Sequence, residues 1–449
     1  MDTSTRRKRR GVDRLGDLPD CLLHVILSYL RSRQAVQTSV LSRRWRHLFR
    51  DVPCVDIDDR DFTNGGDGRH WERFEDFSDR LLTSIRPGAR LDVFRLHLAS
   101  RVCDNRTSSR WIRRGLRHLP AAVDIRATHD HAVSWRPHLP FPCPGPYGGQ
   151  DPPHAQSACA AGFTRRLTML RLVGVHILTG FVEDLGRHCP TIRELHAERC
   201  YMRMDVLASP TLRRLTVVDR RHHCRTAVAP RLVAPCLASL YLEIVYDGEV
   251  HGNVARAGAA TPELLTVLTE ASVRLKEVDR HRPNHQGREQ RKLKFFKSMA
   301  GFIALMPNVV NLHLQGFTTM ALLEKESQEF PMLYNLRSLL LEKCDVGMSF
   351  QALASILRNT PNLEKLALDL CMFAAPPIVK RWKEMASSES HCATPVAPVG
   401  CWGKKLRTVE IKRRSQDWQH MAKVLSEISK GMLPAQWRQV KTSCTIVSG

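Results

Sequence analysis

Hydrophobic residues follow two different rhythms along this chain. Near the N-terminus, residues 18–30 read LPDCLLHVILSYL, where Leu22, Leu23, Val25, Ile26, Leu27, Tyr29 and Leu30 cover most of a helix circumference. Only Asp20, His24 and Ser28, four apart, form a polar stripe, the pattern of a helix that is covered nearly all round. Pro19 suits the first turn because its missing N–H would be unpaired there, Asp17 can cap, and Asp20 lies near the positive end of the helix dipole. The continuation RSRQAVQTSVLSRRWRHLFRDVP predicts two further short helices. Ser32 can cap the first, with Val36, Val40 and Leu41 on one face; Ser42 can cap the second, which carries Trp45, Leu48 and Phe49. Three short helices in roughly 40 residues rarely make an adequate core unaided. Burying one Leu or Ile is worth roughly 1.5–3 kcal/mol, so half of this apolar set left in water would outweigh the stability of the unit. Something outside the unit is expected to cover it.

The second rhythm is a recurring L-x-x-L-x-L. It appears as LTMLRL from 167, IRELHA from 192, LRRLTV from 212 and LASLYL from 237, then as VVNLHL from 309, LRSLLL from 336, LEKLAL from 363 and LRTVEI from 406. Pro190, Pro210, Pro235, Pro307 and Pro361 precede five of the eight copies, and spacings of 20 to 27 residues suit leucine-rich repeats. Each copy predicts one short strand with alternate residues inward, and stacked copies build the curved core that one repeat cannot. Earlier strands are read at RLDVFRLHL from 90 and AAVDIRAT from 121, and helical return segments at 262–278, 293–305 and 349–358. The fold class is therefore an α/β repeat: three N-terminal helices over 13–52 after a basic tail at 1–12, then a solenoid over 53–402, a curved parallel sheet with helical or irregular returns. Insertions fall near 129–163 and 246–292; residues 136–153 alone hold seven prolines, and 386–402 is a further irregular stretch. Residues 403–449 read as a strand, a turn and an amphipathic helix through Met421, Val424, Leu425 and Ile428 that caps the last repeat.

The helical segment carries a resemblance. DRLGDLPDCLLHVILSYLRSRQAVQTSVLSRRWRHLFRDVP resembles an F-box of the large plant F-box families, through Leu18-Pro19, the Ile26-Leu27-Leu30 run, Ala35-Val36-Thr38-Ser39 and Val40-Leu41-Ser42-Arg43-Arg44-Trp45. The resemblance implies that the three helices dock on the Skp-family adaptor of an SCF-type ubiquitin ligase, and through it on cullin. By position, Leu18, Pro19, Leu22, Ile26, Leu27, Leu30, Val40, Leu41 and Trp45 become the adaptor contacts, with Leu23 and Leu48 assigned to the core. The C-terminal piece resembles the FBD-type ending of plant F-box/leucine-rich-repeat proteins, without much of that ending's follow-on strand.

Charge and chemistry narrow the function. A net charge of +23 and a pI near 9.9 invite a nucleic-acid reading. Against it, the arginines are spread through every segment, aromatic residues make up only 6%, and no nucleic-acid-reading motif occurs. The cluster Arg6, Arg7, Lys8, Arg9 and Arg10 has the composition of a nuclear-import signal, which points to the nucleus or the cytoplasm. No run reaches the length of a membrane span and no apolar signal-peptide region occurs, so no membrane partner is expected. The fourteen cysteines are widely spaced, a pattern of reduced core thiols. No phosphate-cradling glycine motif, H-E-x-x-H or C-x-x-C is present. His196-Ala197-Glu198 with Pro235-Cys236 fails as a zinc-deaminase signature for want of a second cysteine, and His222-His223-Cys224 could bind a metal only with further ligands, so it reads as a polar loop between repeats. No cofactor, metal or catalytic residue is assigned, and the chain is expected not to be an enzyme.

In each repeat the residue between the last two apolar positions points away from the core. Along the copies these are Arg171, His196, Thr216, Tyr241, His313 and Leu340, followed by Ala367 and Glu410, and they are the candidate contacts to a protein target. The expected function is a substrate-recognition subunit that brings a target's lysines beside a charged ubiquitin-carrying enzyme by proximity alone. A basic nucleic-acid-binding repeat protein, a small-molecule sensor, and an F-box protein without a stable target are the other readings.

Overall fold

The computed structural model describes residues 15–63 (16 aside), 69–100, 103–128, 134–135, 165–177, 189–200, 206–218, 225–226, 231–246, 264–277, 295–323 (297 aside), 329–346, 351–372, 405–413 and 437–446, with 425–426 and 428–429. The basic cluster at 6–10, His222-His223-Cys224, Met421, Val424, the stretch 386–402 and nearly all of the expected insertion near 129–163 lie outside these residues. Of the one expected near 246–292, residues 264–277 are described and include a strand of the sheet, so that part is not an insertion. The chain divides into two compact units, Met1–Val133 with Gly148–Leu167, and Ser134–Tyr147 with Thr168–Gly449.

The first unit begins with α1 (Asp20–Ser28), α2 (Ser32–Gln37) and two 3-10 segments, Thr38–Val40 and Trp45–Asp51. Ser42 accepts from the Trp45 N–H at 3.5 Å, as its capping role required. Ser32 lies inside α2, not at its cap, and its hydroxyl accepts from the Asp56 N–H at 2.8 Å. The chain continues through β1 (Cys54–Asp58), α3 (His70–Ser84), β2 (Val93–Leu98), α4 (Asn105–Leu116) and β3 (Ala122–Ala127). The three strands are parallel and in register, with Val55, Phe94 and Val123, and then Ile57, Leu96 and Ile125, aligned and buried. Asp104 caps α4 by accepting from the Thr107 N–H at 2.7 Å. Trp111 of α4 packs edge-on against Phe74 of α3, and its indole N–H donates to Asp79 at 2.9 Å. The F-box-like helices and the first strands thus belong to one compact unit.

The second unit is a sheet of parallel strands whose spatial order follows the sequence. They are β4 (Met169–Val173), β5 (Glu194–Glu198), β6 (Arg214–Val218), β7 (Ser239–Tyr246), β8 (Glu270–Glu277), β9 (Asn311–Gln315), β10 (Ser338–Glu342), β11 (Lys365–Asp369), β12 (Thr408–Arg413) and β13 (Lys441–Ile446). All eight L-x-x-L-x-L copies supply strands. One expectation is overturned: residues 262–278 are not a helix, because Ala271, Val273 and Leu275 alternate inward on β8, which fills the place between β7 and β9. The other two expected returns are helical, over residues 295–304 and at α5 (Gln351–Asn359). The C-terminal follow-on strand is also present: β13 pairs in parallel with β12 along its whole length.

The strands leave the sheet by a shared device. Immediately after β4, β5, β9, β10 and β11 the chain turns through positive φ at Gly174 (66°), Arg199 (52°), Gly316 (72°), Lys343 (50°) and Leu370 (52°). The next residue plugs the turn. Where it is cysteine, the thiol donates to its own strand and to the preceding repeat: Cys200 to Leu172 O at 3.4 Å, Cys344 to Leu314 O at 3.3 Å, Cys371 to Leu341 O at 3.2 Å. On their own strands these thiols give a second hydrogen bond to carbonyls, Glu198 O, Glu342 O and Asp369 O, that already accept from the Gly174, Gly316 and Lys343 N–H groups. Burial pushes Cys200 up to about 12.

Candidate functional site

The N-terminal helices close a small core of their own. Leu23 and Leu27, four apart on α1, pack with Ala35, Trp45, Leu48 and Val52, with Leu18 and Leu30 at the margin. Arg44 holds the ends together: its guanidinium donates to Asp20 at 2.6 Å and to the Leu18 carbonyl, tying the third helix to the start of the first. The opposite side of α1 turns outward. Leu22 and Ile26, and Val25 and Tyr29, are two further pairs four apart, and all four are exposed, as are Val40 and Leu41 at the next corner. Tyr29 and Val40 are about 85% exposed, which for such residues marks a surface awaiting a partner.

The structure therefore sorts the expected adaptor contacts. Leu22, Ile26, Val40, Leu41 and Pro19 lie on the surface, while Leu18 and Leu30 are half-buried. Leu27 (1% exposed) and Trp45 (7%) are corrected to core residues: Leu27 shares the inward stripe of Leu23, and Trp45 fills the space beneath it. Val25 and Tyr29, which were not among the expected contacts, are exposed beside Leu22 and Ile26, as their i, i+4 spacing requires. The helix is not covered all round by its own unit; half of its apolar surface is open.

A charge network fastens these helices to the first strands. Arg31 meets Asp58 at 3.1 Å and Asp61 at 2.5 Å, and Asp58 also accepts from Arg60 at 3.0 Å. Burial alone would raise the Asp58 carboxyl, but hydrogen bonds from His97 and Arg60 hold it well below the usual carboxylate range.

In the second unit the outward row expected from sequence is a physical row. Arg171, His196, Thr216 and Tyr241 are laterally aligned, Ser272 follows, and His313, Leu340, Ala367 and Glu410 complete it. Ser272 was missed because β8 was read as helix. Every member is half-buried. Tyr241 lies under the Arg274 guanidinium, 5.1 Å from ring centre, and its hydroxyl donates to Glu243 at 3.2 Å. His313 sits between Ser272 at 3.3 Å and Glu342 at 3.1 Å. Burial, then the Arg274 charge, lowers its pKa. A largely open depression of about 350 Å³ lies over β7–β10, lined by Ser239, Tyr241, Glu270, Ser272, Asn311, His313, Ser338 and Leu340 among others. Among the described residues no cluster of three or more His, Cys, Asp or Glu side chains could hold a metal, and no helix is long and apolar enough to cross a membrane.

Helices with an open apolar face, joined to strands stacked one per repeat, define a protein that pairs a docking module with a repeat array. Residues 15–56 match the F-box domain. The chain is 37% identical over 95% of its length to the rice "MEIOTIC F-BOX protein MOF", of which it covers 85%. It is 24% identical over 80% of its length to an F-box/LRR-repeat protein of Arabidopsis thaliana, covering 77% of that protein, and 27% identical over 79% to another, covering 76%. The chain belongs to the plant F-box/leucine-rich-repeat family, whose F-box generally binds a Skp-family adaptor and whose members are typically non-catalytic.

Proposed function

We propose that this chain is the substrate-recognition subunit of an SCF-type ubiquitin ligase, with the F-box bound to a Skp-family adaptor and thereby to cullin, and the repeats bound to a protein target. The observation that carries the reading is the open apolar surface of Leu22, Val25, Ile26, Tyr29, Val40 and Leu41 on a unit that already has its own core. Hydrophobic helices of the adaptor would cover it, each buried side chain contributing about 1.5–3 kcal/mol. The chain itself performs no chemistry: ubiquitin reaches target lysines because they are held close to the charged enzyme. It works in the nucleus, the cytoplasm or both, the basic cluster at Arg6–Arg10 acting as the import signal. No membrane and no nucleic acid takes part; the outward row of the repeats carries both signs of charge and apolar residues, not a phosphate-binding strip. Co-purification of the full chain with a Skp-family adaptor tests the reading. The intact chain is expected to retain the adaptor and an Ile26→Asp, Val40→Asp double variant to lose it at unchanged melting temperature. A soluble, folded intact chain that retains no adaptor would sink it.

A further inference from the structure

The cavity over β7–β10 has a lining that carries little charge. In a chain of net charge +23, Glu270 is the only acidic or basic residue among those lining it apart from His313. It is exposed, and among the described residues the cations at the two ends of its row pair elsewhere, Arg214 with Glu194 at 2.9 Å and Lys365 with Glu410 at 2.7 Å. The neighbouring acids are already matched: Glu243 takes Lys276 at 3.2 Å and Arg274 at 3.9 Å, and Glu342 takes His313 at 3.1 Å. Glu270 is the carboxylate left over for something else.

The walls are fixed before any ligand arrives. Serines at 239, 272 and 338 leave the space, and the larger Tyr241, His313 and Leu340 bound it. Tyr241 is held by Arg274 above its ring and Glu243 at its hydroxyl; His313 is held from both sides by Ser272 and Glu342. In register along the lip lie Ser239, Glu270, Asn311 and Ser338, so a carboxylate, an amide and two hydroxyls share one row. A long side chain with an apolar stem and a cationic head fits this division, its stem against Tyr241 on β7 and its head at Glu270 on the adjacent β8.

We propose that this cavity is the subsite that receives a lysine or arginine side chain of the target protein, its stem against Tyr241, within a segment that lays a neighbouring apolar residue against Leu340. The proposal rests on the target-receptor reading above and narrows its target to a basic segment. The single carboxylate also rejects acidic and phosphorylated segments, which the remaining surface would attract; an uncompensated like charge is the cheapest route to that selectivity.

The test uses the full chain bound to its adaptor and an array of acetylated peptides of randomised sequence, with one central residue fixed as Lys, Arg, Gln, Glu or phosphoserine. Lys and Arg sets are expected to retain the complex about tenfold better than the Glu set, as one charge-assisted contact supplies. Glu270→Gln should abolish that preference and Glu270→Lys invert it, while Glu364→Gln, an acid outside the cavity, leaves it intact. Tyr241→Ala should weaken the Lys and Arg sets alike. Absence of any preference, preference for Glu or phosphoserine, or a Lys preference that survives Glu270→Gln would each overturn the proposal. Adaptor retention is read on the same samples, so failure of the ligase reading shows separately, as a chain that selects peptides without holding the adaptor.

Discussion

On α1, Leu23 and Leu27 are buried, while Leu22 and Ile26, each one residue earlier, are 48% and 40% exposed. On β10 the inward Leu339 and Leu341 are wholly buried, and among their outward neighbours Glu342 is ion-paired with His313. Both regions are rich in leucine, but they finish their surfaces differently. The repeat strands bury their inward apolar residues and turn a mainly polar row outward, half-buried Leu340 and Ala367 being its apolar members, and each strand closes its neighbour's core, so the sheet is complete within one chain. The F-box sends apolar residues both ways. A unit of that size gains little from its inward face alone, and its outward face represents binding energy reserved for another protein. One region is built to be stable, the other to be completed.

The sharpest way to break this contrast is to cut each face of the F-box separately. Trp45→Ala removes the largest member of its core and is expected to cost about 3–5 kcal/mol in urea unfolding. Val40→Asp, at a surface position, should change stability by less than about 0.5 kcal/mol while abolishing adaptor retention. Equal destabilisation by both would mean that Val40 belongs to the core in solution and that the outward face is not a separate surface.

The repeat region offers a test of sign. Gly316 turns the chain after β9 at φ 72°, and a Cβ there would collide with the Leu275 carbonyl oxygen of the preceding repeat. Gly316→Ala is expected to cost about 1–3 kcal/mol. Gly301, in the helical return, has nothing near where its Cβ would be, and Gly301→Ala should stabilise by about 0.4–1 kcal/mol. Thermal melts of the two variants against the parent decide this. A Gly316→Ala melt at the parent's temperature would show that the strand exits are not fixed by close repeat-to-repeat packing.

Much of this was legible in the sequence, for reasons that differ by region. The eight L-x-x-L-x-L copies became eight strands because the inward leucines leave a repeat no other way to stack. Residues 262–278 misled because Leu265, Leu268 and Leu275 have helical spacing, while the inward trio Ala271, Val273 and Leu275 has strand spacing. The open edges of β7 and β9 decided between them, and no local pattern contains that information. For the F-box, the motif told which residues matter but not which way each faced. Leu27 and Ile26 are adjacent and equally apolar; only the place where Trp45 comes to rest makes one core and the other surface. The outward row was legible except at Ser272, which followed from the same misreading. The cavity beside it could not be read, since it arises from small side chains on non-adjacent parts of the chain.

The buried thiols of the repeats give the finest test, because their accessibility reports whether the packing between repeats stays closed; Cys236 and Cys444, also in the repeat region, are exposed and serve with Cys21 as accessible references. Burial pushes Cys189 and Cys200 of the repeats up to about 12, while Cys21 on α1 is exposed. Burial disfavours the thiolate, so the folded state keeps protons that the unfolded state releases above its ordinary value near 9. These thiols contribute stability that is fully present below pH 9 and is lost as the pH rises from there toward 12, by about 1.4 kcal/mol per pH unit for each thiol. Unfolding curves of the parent between pH 7 and 11 are expected to be level up to 9 and to fall beyond it, and Cys200→Ala should fall less steeply. At pH 7.5 a maleimide should label Cys21 in the native protein and reach Cys189, Cys200 and Cys344 only after unfolding. Native labelling of Cys200 or Cys344 at the rate of Cys21 would mean that the strand exits open readily, and that the repeat array is as incomplete without a partner as the F-box is.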